Sequence, residues 1–112
     1  GAAHAKGQLG SALRTYKNVL GEGHPEVAHV HNSMGGLLFE IGTPEALEEA
    51  RKHVEAAIAI TDECIGETDL TSAESRFILG KINLREGELR TALRLMRQAL
   101  QIRENIFGYH HL

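Results

Sequence analysis

Apolar and small residues recur along this chain in three runs that share one register. Ala5–Ala28 reads AKGQLGSALRTYKNVLGEGHPEVA, Ala50–Ala73 reads ARKHVEAAIAITDECIGETDLTSA, and Ala92–Leu112 reads ALRLMRQALQIRENIFGYHHL. Aligned on Gly21, Gly66 and Gly108, which stand 45 and 42 residues apart, they match position for position. Ala5, Ala50 and Ala92 coincide, as do Leu9, Val54 and Met96, then Ala12, Ala57 and Ala99, then Leu13, Ile58 and Leu100. Steps of three, four and one along a helix of about 3.6 residues per turn place these residues on one stripe. The alanines in that stripe allow a neighbouring helix to approach closely. A repeat of this length predicts an array of helical units that bury their apolar faces by stacking.

The segments between the runs repeat as well. Pro25–Gly42 reads PEVAHVHNSMGGLLFEIG and Leu70–Gly87 reads LTSAESRFILGKINLREG. At an offset of 45, Ala28 meets Ala73, Met34 meets Leu79, Gly35 meets Gly80 and Gly42 meets Gly87. Pro25 suits the first turn of a helix, and Gly42 and Gly87 suit helix ends. Gly35 and Gly80 fall in mid-helix, where only close contact with a partner helix offsets their cost. Thr43-Pro44 reads as an N-cap followed by proline at the first helical position. The pattern predicts five helices, at roughly 2–20, 25–41, 45–64, 69–86 and 88–107, with short connections that make neighbours antiparallel. Gly7 and Gly10 weaken the first by roughly 1 kcal/mol each relative to Ala, so it is expected to fray or start late.

Composition narrows the function. Of 112 residues, 12 are basic and 15 acidic, and the net charge of −3 does not suit a nucleic-acid binder. No apolar run reaches the ~18 residues of a membrane span. The single Cys64 forms no internal disulfide and fits a reducing, cytoplasmic setting. The first run begins inside a repeat, so the chain reads as part of a longer array. The outer stripe of the last helix, through Ile102, Ile106 and Phe107, and that of the first predict self-association through exposed ends.

Candidate chemistry is sparse. There are seven histidines. His29 and His31 are two apart and point away from each other, unlike the i, i+4 pair of a helical zinc site. His24 is read as a cap, and no metal is expected. Glu48-Glu49 and Asp62-Glu63 read as solvated faces. Ser33, Ser72 and Ser75 have no base at a suggestive spacing. Gly21-Glu22-Gly23 and Gly35-Gly36 lack the strand, helix and lysine of a phosphate loop. No catalytic site and no cofactor are predicted.

The small residue after an apolar one (Met34-Gly35, Leu79-Gly80), the turn glycine and the paired alanines resemble the tetratricopeptide repeat. The loop Gly21–Ala28 and the run Ala99–Gly108, ALQIRENIFG, resemble its kinesin-light-chain subtype. The departures are Asp69-Leu70 for His-Pro, Leu112 for the last proline, and an insertion after Gly42. Similar repeats occur in large mitochondria-clustering proteins and in the C-terminal region of SET-and-MYND lysine methyltransferases. The resemblance implies an all-α, right-handed α-solenoid of about two and a half units over residues 1–112, with a lone second helix at 1–20 and repeats at 25–65 and 69–107. It implies a scaffold that binds a protein or short peptide in its concave groove, lined by the first helix of each repeat. Groove positions are then His29, Asn32, Gly36 and Phe39 on one helix, and Glu74, Phe77, Lys81, Leu84 and Arg85 on the next. Family asparagines hold a peptide backbone and basic residues hold its acids, so Phe77, Lys81 and Arg85 suit an acidic peptide with an apolar anchor. The alternatives are a structural spacer and an appendage of an enzyme such as a SET/MYND methyltransferase.

Overall fold

The computed structural model describes residues 1–64 and 69–108. Five helices follow one another: α1 (Ala2–Leu20), α2 (Pro25–Ile41), α3 (Pro44–Glu63), α4 (Asp69–Arg85) and α5 (Leu89–Phe107). No strand occurs among the described residues. Each boundary agrees with the sequence pattern to within one residue. The expected turn at Gly66 and the closing residues Tyr109, His110, His111 and Leu112 lie outside the described residues.

The helix starts follow from capping. His24 Nδ1 accepts the backbone N–H of Glu26 at 3.1 Å, and Thr43 Oγ1 accepts that of Ala46 at 3.1 Å. A proline follows each cap, where its missing N–H costs nothing. Gly42 ends α2 in the left-handed region at φ 74°, which a side chain would strain.

α2 and α3 form an antiparallel hairpin, α4 and α5 form a second, and α4 rests on both α2 and α3. The core lies where these three meet. Leu38, Val54 and Ile82 are fully enclosed there, beside Met34, Ala50, Ile78 and Leu95. Enclosing each of the larger aliphatic side chains contributes about 1.5–3 kcal/mol.

The mid-helix glycines mark the closest helix contacts. A Cβ on Gly35 would stand 2.5 Å from Val54 Cγ1, and one on Gly80 would stand 2.9 Å from Met96 Cγ. Each glycine thus lies against the partner helix of its own hairpin.

α1 differs from expectation. It begins at Ala2 and runs unbroken through Gly7 and Gly10. Its contacts explain this: Leu9 packs against the core, and Lys6 Nζ pairs with Glu49 Oε1 at 3.1 Å. Tertiary contact outweighs the low propensity of two glycines. α1 still buries no residue completely, and its far end leaves Val19 and Leu20 exposed.

Candidate functional site

α4 is pinned to the first hairpin by polar ties at both ends. Near its start, Asn32 Nδ2 donates to the Thr71 carbonyl at 3.0 Å, and Ser75 Oγ donates to Asn32 Oδ1 at 2.6 Å. Arg76 reaches back to Asp62 at 3.6 Å. Near its end, Arg51 Nη1 donates to Asn83 Oδ1 at 3.1 Å and also pairs with Glu86. These ties fix the angle at which α2 and α4 present their accessible sides.

A cationic–aromatic cluster bridges the two helices. The Lys81 ammonium lies 4.9 Å from the Phe39 ring centre and 5.3 Å from that of Phe77. The Arg85 guanidinium lies 4.3 Å from the centre of the Phe39 ring. Each such contact contributes about 0.5–1 kcal/mol at an exposed position. More important here, the rings hold two cations in place without neutralising them. Neither Lys81 nor Arg85 forms an ion pair with a carboxylate among the described residues. Beside Phe39, the space over Gly36 is open, with nothing within 4 Å of where its Cβ would stand. Leu84 is exposed one residue before Arg85. The patch thus offers positive charge, two ring surfaces, an exposed aliphatic side chain and a gap.

The other expected positions fall elsewhere. Asn32 departs from the expected groove arrangement: it is 1% exposed, and its amide is committed to α4. Its position faces the stacking side of α2, where α4 covers it. His29 is exposed, but it stands about 15 Å along α2 from Phe39, and the half-buried Glu74 lies about 10 Å along α4 from Lys81.

A histidine pair, His31 buried and His53 half-buried, joins α2 to α3 and was not evident from spacing. The Nδ1 atoms of His31 and His53 are 2.9 Å apart, so one must donate its hydrogen to the other's lone pair. Glu49 stands 3.9 Å from His53 Nε2, which favours the hydrogen there and leaves His53 Nδ1 as the acceptor. Burial, then the His53 ring and the Lys17 ammonium, push His31 down to about 4 from its ordinary 6.5. His53 is also lowered, chiefly by burial and further by Lys17 and Lys6, with Glu49 acting in the opposite direction. The signal for this pair lies in the hairpin: a turn at Gly42-Thr43 sets position 31 opposite positions 53 and 54. No group of three or more His, Cys, Asp or Glu converges as a metal site among the described residues.

Antiparallel helix pairs stacked through a continuous core, with their first helices side by side, define a helical-repeat solenoid. The tetratricopeptide repeat family model matches residues 45–105, more than half of the chain, and the chain belongs to that family. The crystal structure of BtubC (BKLC) from P. vanneervenii superposes with a TM-score of 0.83 at 25% identity, over 97% of this chain and 42% of that one. The repeats are of the kinesin-light-chain type. Clustered mitochondria protein homologs are also similar: the one from Ajellomyces capsulatus is 30% identical over 101 residues, and that from Aspergillus niger 27% over 101 residues. These matches cover 89% of this chain and 8% of each relative's length. No helix among the described residues is long and apolar enough to cross a membrane.

Proposed function

We propose that this array is a non-catalytic interaction scaffold whose α2–α4 face binds a short acidic peptide with one apolar anchor. The family and fold support protein interaction in general. The finer reading is carried by one observation: Lys81 is held over both Phe39 and Phe77, with Arg85 on Phe39, and neither cation has an acid partner among the described residues. A peptide carboxylate would pair with a cation already positioned, so less side-chain freedom is lost on binding. An apolar peptide side chain would enter the gap above Gly36, against Phe39 and Leu84. Asn32 has a positioning role in this reading, because it sets the α2–α4 seam. The similarity to clustered mitochondria protein homologs supports an array acting as one part of a larger protein.

The test is selection from a library of short peptides, followed by titration of the best acidic binder. Lys81→Glu combined with Arg85→Glu should weaken binding by at least about tenfold, a loss of roughly 1.4 kcal/mol or more, and leave the helical circular dichroism unchanged. Equal affinity for wild type and variant would reject this face as the site. A spacer role is the second reading, favoured by the apolar surface left open on α5 at Leu100 and Ile106. It predicts that no library peptide binds the groove.

A further inference from the structure

The first turn of α5 carries a cation and no acid. Arg90 sits there, two residues after the N-cap Glu88, where the positive end of the helix dipole disfavours a cation. α2, α3 and α4 each carry an acid in the first turn instead: Glu26, Glu45 and Asp69. Arg90, Arg94 and Arg97 also follow one another at i, i+4 and i+7, so like charges adjoin. None of the three forms an ion pair among the described residues, whereas Arg51 and Arg76 both do.

This ladder lies on the side of α5 opposite the buried Ala92, Leu95 and Ala99. It is also shaped. A depression of about 410 Å³ runs among Arg90, Leu93, Arg94, Arg97, Gln98 and Gln101, and Leu93 in its lining is 51% exposed. No ion pair among the described residues accounts for this cation row. It suits a ligand that brings carboxylates and an aliphatic side chain together.

We propose that the outer face of α5 is a second docking surface, for an acidic amphipathic helix of a protein partner. Glutamates at i, i+4 and i+7 of such a helix, lying alongside, match the arginine spacing, and each guanidinium fork takes a carboxylate through two hydrogen bonds. A leucine between them covers Leu93. A protein is favoured over a nucleic acid because no aromatic ring lines the depression for a base to stack on. The surface is separate from the α2–α4 face, so either can fail without the other.

The experiment uses the whole chain and a short stabilised helical peptide with Glu at i, i+4 and i+7 and Leu at i+3, read by fluorescence anisotropy. The peptide should bind, with affinity falling as salt rises. Arg94→Glu with Arg97→Glu should weaken it at least about tenfold, while Lys81→Glu with Arg85→Glu and the α3 variant Lys52→Glu leave it unchanged. The same arginine variant should melt within a few degrees of wild type, since both changed side chains are exposed. No binding, binding unaffected by the arginine variant, or loss only in the Lys81/Arg85 variant would overturn the proposal. Tighter binding of a single-stranded RNA oligonucleotide would overturn it in favour of nucleic acid. Self-association by sedimentation that the arginine variant abolishes would overturn it in favour of a second copy.

Discussion

The two hairpins share a register but meet solvent differently. Val54 in α3 is fully buried, and its counterpart Met96 in α5 is half-buried. Ile58 is half-buried against the core, and its counterpart Leu100 is 54% exposed. Asn32 in α2 is sealed, and Phe77, at the same place in α4, is 45% exposed. The cause is α4, which covers the first hairpin, while no described helix covers the second in the same way. The repeat pattern therefore sets which positions face the stacking side. The next helix decides whether those positions become core. Phe77, Met96, Ala99, Leu100 and Arg103 accordingly line an open depression of about 340 Å³.

Matched substitutions in the two hairpins would sharpen or break this contrast. The largest difference is expected at the paired alanines. Ala57→Glu buries a charge at a fully enclosed position and should cost at least ~3 kcal/mol, enough to abolish a cooperative melt. Ala99→Glu can turn its carboxylate into the open depression beside Arg103 and should cost about 1–2 kcal/mol. Thermal unfolding of both variants checks this, and equal losses would refute the difference in cover.

The next effect is a pH dependence confined to the first hairpin. His31 titrates near 6.5 in the unfolded chain and at about 4 in the fold, so between those values the unfolded chain binds more protons. Its contribution is complete above 6.5 and is lost as pH falls towards 4, by as much as ~3 kcal/mol. Urea unfolding at about pH 7 and about pH 5 should show the loss, and His31→Gln should flatten it. The equivalent positions in the second hairpin are Arg76 and Leu95, so it has no histidine pair. An unchanged slope in His31→Gln would remove the histidine pair as the cause.

The glycines should differ more modestly. Gly35→Ala meets Val54, which is stiff and enclosed, and should lose about 1–2 kcal/mol after the gain in helix propensity. Gly80→Ala meets the flexible Met96 at 2.9 Å and the Ala92 carbonyl at 3.3 Å, and should lose less, about 0.5–1 kcal/mol. Chemical denaturation of both variants tests the pair, and a Gly80 loss as large as the Gly35 loss would show that Met96 cannot yield. Smallest of all, Leu100→Gln should stay within about 0.5 kcal/mol, because the side chain is already exposed.

Helix order, caps and the mid-helix glycines were legible because each depends on local spacing or on one close contact. Thr43-Pro44 and His24-Pro25 announce helix starts, and Gly35 and Gly80 announce tight packing. The candidate face was legible in part. Phe39, Phe77, Lys81 and Arg85 meet as the register suggested, because they lie on neighbouring first helices. Asn32 misled because the stacking side and the groove side adjoin on α2, and periodicity does not separate neighbouring faces of one helix. Arg51–Asn83, Asn32–Ser75 and Arg76–Asp62 cross between hairpins, where the pairing depends on a crossing angle that no sequence spacing encodes. α1 ran through two glycines because Leu9 and Lys6 find partners on other helices.

The most direct measurement is an amide chemical-shift titration of the whole chain with a short extended acidic peptide carrying one leucine. Binding at the α2–α4 face should move the amides around Phe39, Lys81 and Arg85 most and leave α1 and the end of α5 in place. Shifts absent at those three residues, or confined to Leu100 and Ile106, would contradict the assignment of this face as the peptide site.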